Sequence, residues 1–246
     1  MDLAEIVKKT TEGLVAVDSI TKTVKSNRRT HETYLPGVKT IGEVQFIKEL
    51  FDWWDKTFPE DFQNKSDYVL HYPYDTLKGH CDVVFNTNNS KRTENYEWAI
   101  EYKYIGLVGN NGKNNDYGLA KALSPYLKDR SLIHDVERLR ESKFAQEKAV
   151  ILYGFEYDFN TCAIAEKKCF QQGITPTIVQ EVKKVCESVD PVNGTYSLEP
   201  IVEMLDDFLS RKNWVKGSGI HCLFDGAYRH PAGGKGRVVG WEIISK

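Results

Sequence analysis

Residues 149–157, Ala-Val-Ile-Leu-Tyr-Gly-Phe-Glu-Tyr, form an almost unbroken apolar run. A run of this length suits a strand buried on both faces, so the chain must build a sheet with elements packed around it. The flanking segments supply candidates. Residues 2–25 read as a helix, with Leu3, Ile6, Val7, Leu14, Val15, Val17 and Ile20 as apolar positions, and residues 26–39 as a loop. From Thr40, apolar residues Ile41, Val44, Phe46, Ile47, Leu50, Phe51 and Trp54 recur at helical spacing until Pro59. Strands follow at 68–72, 81–85 and 96–108, the last two pairing as a hairpin across an Asn-rich turn. A Gly/Asn loop at 109–118, a helix at 131–145, helices at 176–188 and 199–212, a β segment at 219–224 and a last strand at 237–244 complete the order. The expected architecture is one α/β (α+β) domain with a mixed central sheet flanked by helices.

At 246 residues a single core can bury about 70–75% of the unfolded chain's surface, so no staple is required. The five cysteines, Cys81, Cys162, Cys169, Cys186 and Cys222, are odd in number and form no CxxC pair. That argues against a disulfide framework and a structural zinc site, and a reducing cytoplasm is the expected setting. The N-terminus has no signal-peptide run and no segment approaches ~20 apolar residues, so no membrane partner is expected. Net charge is −2, but it is unevenly spread: residues 149–209 carry ten acidic and four basic side chains, residues 210–246 seven basic and two acidic ones. A locally basic segment fits a confined polyanion-binding face, and equally a solvated tail. There is no GxxxxGK[ST] or GxGxxG element, so ATP-driven or dinucleotide chemistry is not indicated.

The informative feature is Glu101-Tyr102-Lys103. Strand alternation places Glu101 and Lys103 on one face, and Tyr102 on the other with Ile100 and Tyr104. Asp82 opens the partner strand, so the hairpin brings Asp82 and Glu101 together. Two carboxylates at that distance make an oxygen-rich site suited to Mg²⁺, with Lys103 placed to orient or help deprotonate an attacking water. Glu-x-Lys also occurs at Glu141, Glu166 and Glu181, but there in helical or polar stretches where solvated charge is the natural reading. A surface strand with a cross-strand salt bridge is the competing account of Glu101 and Lys103.

This constellation, Asp82 on one strand and Glu101-Tyr102-Lys103 nineteen residues on in the next, resembles the PD-(D/E)xK nuclease superfamily. The resemblance covers roughly residues 40–160 and implies a restriction-endonuclease-like core. It divides the single nuclease domain into an N-terminal helix and loop (1–39), a catalytic core (40–160) and C-terminal helices and strands with a basic loop (161–246). It implies Asp82 and Glu101 as metal ligands with the Tyr102 carbonyl, Lys103 serving the nucleophilic water, and Glu43 as an additional acid from the first core helix. Cys81 stands where the motif has proline, which leaves the turn's register open and makes Asp75 a second candidate acid. Glu43 also completes a capping box, Thr40-Ile41-Gly42-Glu43, in which it would reach back to the Thr40 backbone; Gln45 faces either the site or solvent.

Further candidates are cationic. Lys113, Lys121, Lys128 and Arg130 follow the catalytic strand and could line a substrate groove. Arg229, Lys235 and Arg237 lie in the Gly-rich C-terminal loop, which either meets phosphate or is an ordinary basic turn. His80 and His134 read first as ordinary polar residues, His80 with a supporting role near the site, and at least one of Trp53 and Trp54 as core. The expectation is a Mg²⁺-dependent (Mn²⁺-tolerant) endonuclease acting on double-stranded DNA, most like a type II restriction enzyme. It is expected to be a homodimer placing one centre on each strand. The alternatives are a structure-specific repair or recombination nuclease of the same fold, and a binding module that no longer cuts.

Overall fold

The computed structural model describes residues 1–21, 31, 33, 37–62, 64, 67–74, 79–88, 93–105, 131–158, 189–190, 195–196, 198–227 and 234–246. At its centre β3 (Tyr96–Ile105) lies parallel to β4 (Ala145–Phe155). On one side β2 (His80–Phe85) and β1 (Tyr68–Pro73) extend the sheet as antiparallel neighbours; on the other, β9 (Gly236–Glu242) and β8 (Ile220–Phe224) do the same. The result is a six-stranded mixed sheet in the order β1-β2-β3-β4-β9-β8. A separate three-stranded sheet of two-residue strands joins β5 (Tyr157–Asp158), β7 (Thr195–Tyr196) and β6 (Val189–Asp190). It is not expected from the sequence, where the buried strand spans 149–157 and so takes in Tyr157.

Both faces of β4 are covered, as its apolar run requires. Ala149, Ile151, Tyr153 and Phe155 pack under α1 (Leu3–Ile20) and α2 (Glu43–Thr57), while Val150 and Leu152 pack under α3 (Leu132–Glu141) and α4 (Glu199–Arg211). Helix α2 supplies its buried stripe from Phe46, Ile47, Leu50, Phe51 and Trp54, a helical recurrence. Close approach of α1 depends on two glycines. A Cβ on Gly13 would lie 2.3 Å from Leu50 of α2, and one on Gly240 would lie 2.5 Å from Val7.

Several expected boundaries shift. Thr21 is extended and ends α1 at Ile20, short of residue 25. Helix α2 begins at Glu43 and not at Thr40: Gly42 is its N-cap, and the Thr40 hydroxyl bonds the Gly37 carbonyl in a 3-10 turn, Val38–Thr40. Helix α3 stops at Glu141, where Ser142 turns extended and bonds back to Leu139, so that the chain can enter β4 at Ala145. Pro200 sits in the first turn of α4, as its fixed φ favours. The loop at 109–118 and the helix at 176–188 lie outside the described residues. No helix among the described residues is long and apolar enough to cross a membrane.

Candidate active site

The β2–β3 hairpin is zipped only in part. Its register pairs Phe85↔Trp98, Val84↔Ala99 and Val83↔Ile100, and goes no further. The cause is local. Leu70 and Val83 pack toward α1 and α2, yet Tyr72 and Cys81, two residues along each strand, pack on the opposite face. A regular strand would keep both on one face. The β1–β2 ribbon therefore turns over at His71 and Asp82, and His71 there adopts a left-handed φ of 55°. Such a backbone costs a non-glycine residue about 1–2 kcal/mol and persists only where the surroundings impose it.

Beyond the fork, carboxylates replace the missing ladder. Asp82 Oδ2 accepts from the Tyr102 N–H at 2.8 Å, and Glu43 Oε1 accepts from the Tyr104 N–H at 2.9 Å. The N–H and C=O of one strand residue point to the same edge, so the Tyr102 carbonyl faces the same gap as Asp82. This bond also settles Glu43. It is turned into the site and is no capping-box partner, because α2 carries no side-chain cap.

Glu101 points from β3 toward α3 and is 3% exposed. Its Oε1 accepts from the Tyr74 hydroxyl at 2.7 Å, with Arg138 Nη2 at 3.9 Å. Burial, then the nearby charges of Asp82 and Asp135, push its carboxyl well above the ordinary range. Asp82 is partly exposed at its outer edge. Burial nevertheless pushes its carboxyl up to about 7, against the opposing pull of the Tyr102 N–H. Two neighbouring carboxyls raise each other's pKa, and a divalent cation between them would relieve that repulsion.

Lys103 Nζ lies 2.8 Å from Asp135 Oδ2 and 3.7 Å from Glu43 Oε2. Burial disfavours its charge, but Glu43 and Asp135 outweigh burial and hold its pKa above the ordinary lysine value. The Lys103 amine is thus held between the Asp135 and Glu43 carboxylates beside Asp82 and Glu101. Tyr102 points the other way, fully buried, with its hydroxyl 3.2 Å from Thr10 Oγ1. Cys81, in the place of the motif's proline, is buried with Sγ 3.5 Å from the Ile100 carbonyl.

The donor set is Asp82, Glu101, the Tyr102 carbonyl and, beside them, Glu43. Among the described residues no group of three or more His, Cys, Asp or Glu side chains could hold a metal ion. One or two carboxylates, a carbonyl and water are the donors that Mg²⁺ ordinarily uses, so the residues present fit a hard divalent cation.

The remaining candidates are scattered. Gln45 is exposed and bonds Glu49, away from the site. His80 is exposed beside His71, and His134 pairs with Glu137 at 2.9 Å. Trp54 is core, with its Nε1 on Asp61. Lys235 is exposed. Arg237 is a correction: it lies within β9, 7% exposed, with its guanidinium on Glu156 at 3.1 Å and on Glu199, so its charge is spent inside the fold. Asp75, Lys113, Lys121, Lys128, Arg130 and Arg229 lie outside the described residues. Three site residues escaped the sequence reading: Tyr74, Asp135 and Arg138. Asp135 carried a signal, since it interrupts the apolar stripe Leu132, Val136 and Leu139 on α3.

No protein-family model, curated protein or solved structure matches the chain.

Proposed function

We propose that the chain is a divalent-cation-dependent endodeoxyribonuclease of the PD-(D/E)xK type, most like a type II restriction endonuclease, hydrolysing phosphodiester bonds of double-stranded DNA. The observation that carries this reading is the convergence of the Asp82 and Glu101 carboxyls, with the Lys103 ammonium beside them, where β2 parts from β3. A cross-strand salt bridge on a surface strand would leave Glu101 exposed and pair the charges of β3 with a neighbouring strand. Glu101 is instead buried, and Lys103 pairs with Asp135 and Glu43.

Asp82, Glu101 and the Tyr102 carbonyl would hold Mg²⁺, with Mn²⁺ able to substitute. When bound, the cation supplies Lewis-acid charge against the scissile phosphate. Lys103 holds a water for in-line attack and offsets the negative charge that grows on the phosphate oxygens. Glu43 holds the end of β3 through the Tyr104 N–H and keeps Lys103 within reach.

Supercoiled plasmid incubated with Mg²⁺, Mn²⁺, Ca²⁺ or EDTA tests the reading. Cleavage is expected with Mg²⁺ and Mn²⁺ only, with Ca²⁺ supporting binding alone. Discrete fragments mark a sequence-specific enzyme and structure-dependent nicking a repair nuclease. No cleavage with either activating cation, or cleavage undiminished in EDTA, overturns it.

A further inference from the structure

Helix α3 carries a carboxylate where its packing calls for an apolar residue. Asp135 lies between Leu132, Val136 and Leu139 on the buried side and is 2% exposed. Burying a carboxylate is costly, and the cost is met only by charged partners held close to it. Its two partners are both cations of the site: Lys103 Nζ at 2.8 Å and the Arg138 guanidinium.

What those cations would do without it follows from their surroundings. Lys103 stands among Glu43, Asp82, Glu101 and Asp135, and an ammonium settles on whichever anion draws it most strongly. Seated on Asp82 or Glu101, it would occupy the oxygens that a divalent cation needs. Among the described residues its ion pairs run to Asp135 and, at 3.7 Å, to Glu43, and none runs to Asp82 or Glu101. Arg138 is likewise held back, with Nη2 3.9 Å from Glu101 Oε1, beyond hydrogen-bond distance.

We propose that Asp135 is a positioning residue that draws Lys103 and Arg138 to the α3 side of the site, leaving the Asp82 and Glu101 oxygens open to a divalent cation. The proposal rests on the cation-dependent reading above. It separates two kinds of charge that would otherwise cancel: acids for the metal, and an ammonium kept intact beside them for a substrate anion.

Mn²⁺ binding followed by electron paramagnetic resonance tests this without any turnover. Asp135→Asn preserves shape and removes charge; it should weaken Mn²⁺ binding by about tenfold or more. Asp135→Glu should recover most of the loss. Because the effect acts through the ammonium, the double variant Lys103→Met/Asp135→Asn should bind Mn²⁺ as Lys103→Met does. Unchanged binding in Asp135→Asn, or the same loss carried undiminished into the double variant, overturns the proposal, the second by showing a role in packing alone. On the wild-type protein labelled with ¹⁵N-lysine, Lys103 should give an ammonium resonance with slow proton exchange. Its absence overturns the proposal whether or not the variants fold. A wild-type protein that binds no Mn²⁺ removes the cation-dependent reading instead, and the ammonium resonance still reports whether Lys103 is held.

Discussion

Replacing Asp82 by Asn should stabilise the cation-free protein at pH 8 while removing its activity. Burial lifts the Asp82 carboxyl from an ordinary 3.8 to about 7. In the unfolded chain it ionises at the ordinary value. Between those limits the folded state holds a proton that the unfolded state has released. Stability is therefore fullest below the unfolded pKa and falls as pH rises through the folded one. The full interval corresponds to about 2–4 kcal/mol once the partial exposure of Asp82 is allowed for. Asn carries no charge to desolvate, and its amide oxygen can still accept from the Tyr102 N–H. Urea unfolding in EDTA should thus place the variant about 2–4 kcal/mol above wild type at pH 8 and within about 1 kcal/mol of it at pH 4.5. Mg²⁺ should raise the wild-type midpoint and leave that of the variant nearly unmoved, since only the wild type keeps both acids. A variant less stable than wild type at pH 8, or a difference independent of pH, would refute the reasoning. Either result would mean that the carboxylate is well solvated in the folded protein.

Glu101→Ala and Lys103→Ala should each lower turnover by about 10²-fold or more, with DNA binding in Ca²⁺ retained in gel-shift assays; full activity in either folded variant removes that residue from the mechanism. The two candidate cations Lys235 and Arg237 should behave differently. Lys235→Ala is expected to weaken DNA binding and flatten its salt dependence. Arg237→Ala should instead cost about 3–5 kcal/mol of folding stability, read by urea unfolding, because it leaves Glu156 and Glu199 without their cation. A two-fold symmetric DNA site calls for two centres, so light scattering on the DNA complex should give the mass of two chains, and the mass of one would refute the dimer.

What could be read from the sequence was what repeats with a fixed period. Alternation of two placed Glu101 and Lys103 on one face and Tyr102 on the other, whereas the hairpin ladder stops one pair short of Asp82, which bonds the Tyr102 N–H instead. The unbroken apolar run marked β4 as buried on both faces, although its parallel pairing with β3 leaves no local trace. Charged residues were harder, because a charge on a helix reads as solvated by default. Asp135 was passed over for that reason, and only the gap it leaves in an apolar stripe betrays it. Glu43 matched a capping pattern that depends on where the helix begins, and a start three residues later turned it to the site. Arg237 looked like a loop cation because its partners, Glu156 and Glu199, lie 81 and 38 positions away.

The same long separations have a bearing on how the protein comes to life. The bond that brings Glu43 to Tyr104 spans 61 positions and the one that brings Asp82 to Tyr102 spans 20, while Lys103 finds Asp135 on a later helix. β4, which flanks the site strand, is itself completed only by β9, which follows α4 in the chain. No early fragment leaving the ribosome contains the assembled centre, and no truncated copy lacking β9 can finish the sheet beside it. Whatever chemistry the four segments perform together therefore waits on β9 pairing with β4 and closing the sheet that holds them.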